Sequence, residues 1–145
     1  MSMRMRDQEI ELPSEVTDTP WIWPESSGRE YNPATTGKWL IFRSRKSIDD
    51  TWLKVKEAHE KGLLGPEAKV STCYDSPFKP YKNSHVICVY TDDCEDKDDV
   101  IRVMTELENI GITDEKLRYK SDKATKEGKY GSSGVLYRKE DLKSH

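Results

Sequence analysis

Apolar positions along the chain recur in two periods. Lys38–Arg43 reads KWLIFR, a run of β-branched and aromatic residues that predicts a buried strand. From Ser47 the period changes, and Ile48, Trp52, Val55 and His59 share one helical face. Ser47 offers an N-cap, Asp49 and Asp50 sit where the helix dipole favours acids, and Gly62 supplies a stop. A helix over 47–61 follows, with Trp52 in the core. Ala68–Thr72 reads as a short strand, 73–83 with Pro77 and Pro80 as loop, and His85–Thr91, HVICVYT, as the clearest strand. Asp96–Ile110 reads as a second helix. Val100, Met104 and Leu107 lie on its stripe with Ile101 beside them, and Gly111 follows. Leu117–Lys120 alternates, with Leu117 and Tyr119 on one face and Arg118 and Lys120 on the other. A glycine-rich basic loop over 121–134 leads to a last strand at Val135–Arg138.

This order, β-α-(β)-β-α-β-β without an internal repeat, predicts an α+β domain. A mostly antiparallel or mixed sheet with two main helices packed on one face fits it. Residues 1–20 are polar and aperiodic and read as a disordered or loosely docked arm; 21–138 form the domain; 139–145 read as a polar tail. Trp21 and Trp23 are too large and apolar to sit in water. They either dock on the domain, the better-supported reading, or contact a ligand.

Charged residues make up 35% of the 145 and apolar ones 34%, so the core should be thin. A net charge of −3 gives no whole-chain signal for nucleic acid, but charge is segregated. Asp92–Asp99 holds six acids and one lysine, whereas Lys116–Lys129 holds six bases against Asp122 and Glu127. Three cysteines, an odd number without CxxC spacing, argue against a disulfide framework and a zinc site. They favour a reducing compartment, cytoplasmic or nuclear. No stretch approaches the ~20 apolar residues a bilayer span requires, and the N-terminus lacks the apolar run of a signal peptide. The acidic run lacks the alternating oxygen ligands of a calcium loop, and Thr36-Gly37-Lys38 lacks the upstream glycine spacing of a Walker loop. Neither a metal nor a cofactor is expected.

Candidate chemistry gathers around cations and one histidine. His85 opens its strand with Ile87 and Val89 on the same face; it reads as a strand-edge histidine or, functionally, as a proton donor or phosphate ligand. Arg118 and Lys120 read either as a solvated edge or as a cationic surface for phosphate or carboxylate. Lys123, Lys126 and Lys129 in the basic loop are placed to close over a phosphate, or simply to be solvated. Trp39 and Trp52 belong to the core by their settings. Only Trp21 and Trp23 remain for base stacking.

HVICVYTDDCEDKDDVIRV, ELENIGI and LRYKSDKATKEGKY, with GKWLIF before the first helix, resemble the basophilic leukemia expressed protein family. The resemblance spans about Gly37 to Tyr137. It implies a fold like that of the cap-binding translation initiation factor 4E, a curved antiparallel sheet with helices on its convex side, and no particular activity. A weaker likeness, over 82–138, is to the bacterial phosphothreonine lyases. Lys82-Asn83-Ser84-His85, a helix, Lys120 and Tyr137 follow that order, with the first spacing one residue too long.

Three functions are therefore expected in turn. The first is a binding module for an anionic, phosphate-bearing ligand, RNA, nucleotide or phosphoprotein, with Lys82, Arg118, Lys129, Tyr137 and Arg43 as ligand contacts. The second is a lyase-like enzyme performing β-elimination with Lys120 as base and His85 as acid. The third is a protein-interaction domain using the Trp21-Ile22-Trp23 segment.

Overall fold

A computed structural model describes residues 11–25, 31–74, 83–123 and 134–143. The strands are β1 (Trp21–Ile22), β2 (Gly37–Ser44), β3 (Ala68–Ser71), β4 (Ser84–Thr91), β5 (Arg118–Ser121) and β6 (Val135–Arg138). Between them lie α1 (Ile48–Glu60) and α2 (Lys97–Asn109), and α3 (Lys139–Leu142) follows β6. The strands form one curved sheet in the order β1-β3-β4-β2-β5-β6, with every neighbouring pair antiparallel. β2 and β4 pair along their whole length, from Gly37 opposite Thr91 to Ser44 opposite Ser84. The expected α+β fold is the one observed.

Alternation along each strand separates two faces. Trp39 and Ile41 of β2, Val70 of β3, Ile87 and Val89 of β4 and Tyr119 of β5 are fully buried on one of them. That face packs with Ile48, Trp52 and Val55 of α1 and with Val100, Val103, Met104 and Leu107 of α2 in a single core. The Trp39 indole donates to the Val100 carbonyl at 3.0 Å, joining the central strand to α2. Asp96 caps α2 by accepting from the Asp99 amide at 3.2 Å. Ser47 stands at the N-cap of α1, but its hydroxyl lies 3.2 Å from the Ser44 hydroxyl instead of capping the helix. Gly62 and Gly111, at φ 77° and 98°, turn the chain out of the two helices.

Close packing at one glycine governs where β5 lies. A Cβ on Gly37 would stand 2.2 Å from Tyr119 Oη and 2.4 Å from its ring carbon. The phenol thus lies across the bare backbone of β2, and its hydroxyl reaches Thr91 Oγ1 at 2.6 Å.

Three segments outside the main elements are placed by the structure. Trp21–Ile22 is an edge strand paired to β3, with Ile22 buried. Residues 139–142, expected as tail, form α3, because Leu142 reaches the core and the buried Lys139 ammonium lies 3.0 Å from Glu108 on α2. The arm is docked from residue 11 on: the Ser14 amide donates to Asp49 of α1 at 3.0 Å, and the Val16 carbonyl accepts from the Cys73 amide at 2.9 Å. Residues 1–10 of the expected arm lie outside the described residues.

Candidate functional site

The face of the sheet turned away from α1 and α2 carries the charge. Lys69 of β3, Cys88 and Tyr90 of β4, Lys38 of β2 and Lys120 of β5 all point to it, on four neighbouring strands. Lys38 stands opposite Tyr90 on one side and Lys120 on the other, and Lys69 stands opposite Cys88. Lys38, Cys88, Tyr90 and Lys120 are buried, while Lys69 is half-buried. Local sequence explains each position. Lys38 alternates with Gly37 and Trp39, and Lys69 with Ala68 and Val70, so core residues on either side turn the lysines outward.

Aromatic rings share the recess with the ammonium groups. Lys69 Nζ lies 4.0 Å from the Trp21 ring centroid, 5.4 Å from that of Trp23 and 6.0 Å from that of Tyr90. Lys38 Nζ lies 5.9 Å from the same Tyr90 ring, and Tyr31 stacks at a tilt against it at 6.0 Å. Such contacts favour the cation by ~0.5–2 kcal/mol each, more as water is removed. Two carboxylates adjoin. Asp122 binds Lys38 Nζ at 2.8 Å and accepts from the Thr36 hydroxyl. Glu67 is buried, and its Oε1 accepts from the Ala68 amide at 3.0 Å. Among the described residues no carboxylate pairs with Lys69.

The electrostatics follow from this crowding. Burial lowers the pKa of Lys69 below the usual lysine value, and neighbouring Lys38 adds to the effect. Burial and then Lys38 lower Lys120 in the same direction. Burial pushes the Cys88 thiol up to about 11 and raises Tyr90, so both stay neutral near pH 7. Tyr31 is raised by burial first and then by Asp122. The recess thus concentrates positive charge among neutral rings, with like charges facing each other on β2 and β5. Such facing charges destabilise a bare sheet.

The residues singled out from sequence divide between the two faces. Lys120 and Arg118 are on the charged face, as the alternation predicted. Arg118 is engaged by Glu140 at 2.7 and 3.2 Å. Arg43 lies on the helix side, bound to Asp114 at 2.6 and 2.8 Å and to Thr51 at 3.1 Å. Tyr137 lies against Tyr119 on that same side and donates to the Cys94 carbonyl at 3.0 Å. His85 is buried there too. Its Nδ1 lies 3.0 Å from the Ser71 carbonyl, which only accepts, so that nitrogen carries the proton; Nε2 faces Cys73 Sγ at 4.0 Å. His85 and Lys120 therefore stand on opposite faces of the sheet and are not brought together as acid and base. Lys82, Lys126 and Lys129 lie outside the described residues. Trp21 and Trp23 meet Lys69, and the buried Ile22 between them makes the segment a strand of the domain.

Lys38, Lys69, Tyr31, Tyr90, Glu67 and Asp122 were missed. The signal for the two lysines is present: a charged residue alternating with buried apolar ones inside a strand. Their convergence needs the strand order, which local pattern does not contain. Among the described residues no group of three or more histidines, cysteines and acids is placed to hold a metal ion. No described helix is long and apolar enough to cross a membrane.

The curved antiparallel sheet with helices on one side has the fold of the initiation factor 4E proteins. The C. elegans eIF4E-3 complex with the 4E-binding protein Mextli and cap analog is similar at a TM-score of 0.62 and 20% identity, over 87% of this chain and 76% of that one. Ascaris suum eIF4E-3 with m2,2,7G cap matches at 0.60 and 16%, over 94% and 77%. A schistosome eIF4E complexed with m7GpppA and 4E-BP matches at 0.65 and 11%, over 94% and 79%. At these identities the likeness is one of fold. The family model of basophilic leukemia-expressed protein Bles03 matches residues 27–126, and the chain belongs to that family. No curated protein matches the sequence.

Proposed function

We propose that this chain is a non-catalytic binding module for a phosphate-bearing nucleotide or RNA end, seated in the recess of Lys38, Lys69 and Lys120. One observation carries the reading: Lys69 is a half-buried ammonium, held by three rings, that no carboxylate neutralises among the described residues. Taking a cation out of water is costly unless an anion meets it. A phosphate supplies that anion and at the same time relieves the repulsion between Lys38 and Lys120. The rings favour a nucleotide over a phosphorylated peptide, since every base offers a face to stack on. The structural neighbours are complexes with caps and a cap analog, which supports a ligand of this kind.

Titration of GTP and a 5′-triphosphate RNA oligonucleotide against intrinsic tryptophan fluorescence tests it. With two phosphates neutralised, affinity should fall about fivefold to tenfold between 50 and 200 mM salt. Lys120→Ala and Lys38→Ala should each weaken binding at low salt. Binding that ignores both salt and these lysines, or that is seen only with a phosphopeptide, would overturn the nucleotide reading.

A further inference from the structure

The Trp21, Trp23 and Tyr90 rings surround one point, and surfaces of this kind take up cations. Here the point is filled from within the chain. Lys69 Nζ sits 4.0 Å over Trp21, inside the ~6 Å range of a cation–π contact and nearer than its distances to Trp23 and Tyr90. The lysine is not a loose surface arm. Ala68 and Val70 on either side of it are fully buried, and its strand is registered to β4 through Lys69 opposite Cys88.

Among the described residues, Lys38, Asp122 and Glu67 are the charged side chains that act on Lys69. Lys38 approaches the far ring, Tyr90, at 5.9 Å. Asp122 is occupied by Lys38 and Thr36. One oxygen of Glu67, Oε1, accepts from the Ala68 amide at the start of β3. An incoming cation would have to expel Lys69 from the rings and then remain beside it. Unit charges 4 Å apart repel by ~4 kcal/mol at the effective dielectric of a protein surface. A neutral base must also move Lys69 off the Trp21 ring, but it can then remain beside the ammonium without charge repulsion, and its phosphates are drawn to that same ammonium.

Resting on the nucleotide reading above, we infer that Lys69 is a built-in cation that closes the aromatic cluster to positively charged bases. The recess then selects nucleotides with a neutral base and rejects N7-alkylated purines, whose ring carries a positive charge. Lys69 acts as a specificity determinant, and Trp21 and Trp23 act through it as positioning residues.

The test compares GTP with N7-methyl-GTP on the full chain, wild type and Lys69→Met, by tryptophan quenching. The wild type should bind the methylated nucleotide no more tightly than GTP. Lys69→Met should move the ratio of affinities at least tenfold toward the methylated one. A tenfold wild-type preference for N7-methyl-GTP overturns the inference, as does a ratio that Lys69→Met leaves unchanged. Should Lys69→Met fail to fold, the wild-type ratio alone decides. Should neither nucleotide bind the wild type, the nucleotide reading has failed, and N7-methylguanosine and tetramethylammonium, which lack phosphate, still test the cluster. Saturable quenching by these cations in Lys69→Met but not in the wild type supports the built-in cation; the same response in both proteins, including none in either, overturns it.

Discussion

Gly37→Ala is the most telling single perturbation of the fold beneath the recess. The new Cβ would fall 2.2 Å from Tyr119 Oη and 2.5 Å from its ring carbon Cε1, far inside contact distance. Tyr119 has no free space to retreat into. It is fully buried, stacks edge-on against Trp39 at 5.4 Å and is bonded to Thr91 at 2.6 Å. Forcing a methyl into a packed core costs about 2 kcal/mol. Breaking the buried Tyr119–Thr91 bond adds about 1 kcal/mol. A loss of about 3 kcal/mol lowers the melting temperature of a chain this size by roughly 10 °C. The displaced ring also carries β5 with it, so Lys120 loses its register opposite Lys38 and ligand affinity falls too. The assay is thermal unfolding followed by near-ultraviolet circular dichroism, with Gly62→Ala as comparison. Nothing stands within 4 Å of a Cβ at Gly62, so that variant bears only the backbone strain of φ 77°, about 1 kcal/mol. If Gly37→Ala costs no more than Gly62→Ala, the steric argument is wrong.

Other consequences can be read in the same way. The hydrogen bonds from Arg43 hold the Asp114 carboxyl below its ordinary value of 3.8, so this pair's stabilisation is complete above that value and lost as pH falls through the lower folded one. Asp114→Asn should cost about 1 kcal/mol at pH 7, and its urea midpoint should converge with that of the wild type as pH falls below 3.8 and through the lower folded value. Lys120, lowered by burial and Lys38, is penalised as a cation in the folded state, and the penalty fades as pH rises toward 10.5. Lys120→Met should therefore raise the melting temperature of the ligand-free protein at pH 7, less at pH 10, while weakening the proposed nucleotide binding; a lowered melting temperature would contradict the assigned repulsion. His85→Ala removes a fully buried ring and should destabilise the protein by ~3 kcal/mol. It should leave the salt dependence of nucleotide binding untouched, and a changed salt slope would place His85 in the site after all.

Much of this protein is determined locally. The alternation of KWLIFR and HVICVYT decides which side chains of β2 and β4 enter the core, because a strand turns successive residues to opposite faces. The 3.6-residue spacing of Ile48, Trp52 and Val55 and of Val100, Met104 and Leu107 likewise decides the buried sides of the two helices. The contrast of Leu117 and Tyr119 with Arg118 and Lys120 survives from the residue before β5 into the strand for the same reason. Local pattern does not state which strands become neighbours. Lys38 and Lys120 are separated by most of the chain, and they meet only because β5 adds to β2 and Tyr119 finds the bare backbone of Gly37. Lys69 looks like any charged residue in a short strand until β1 brings Trp21 and Trp23 over it. His85 and Lys120, joined by charge and order along the chain, are parted by the thickness of the sheet. Faces are set by near neighbours in sequence; the site is set by strand order, which depends on contacts between residues far apart.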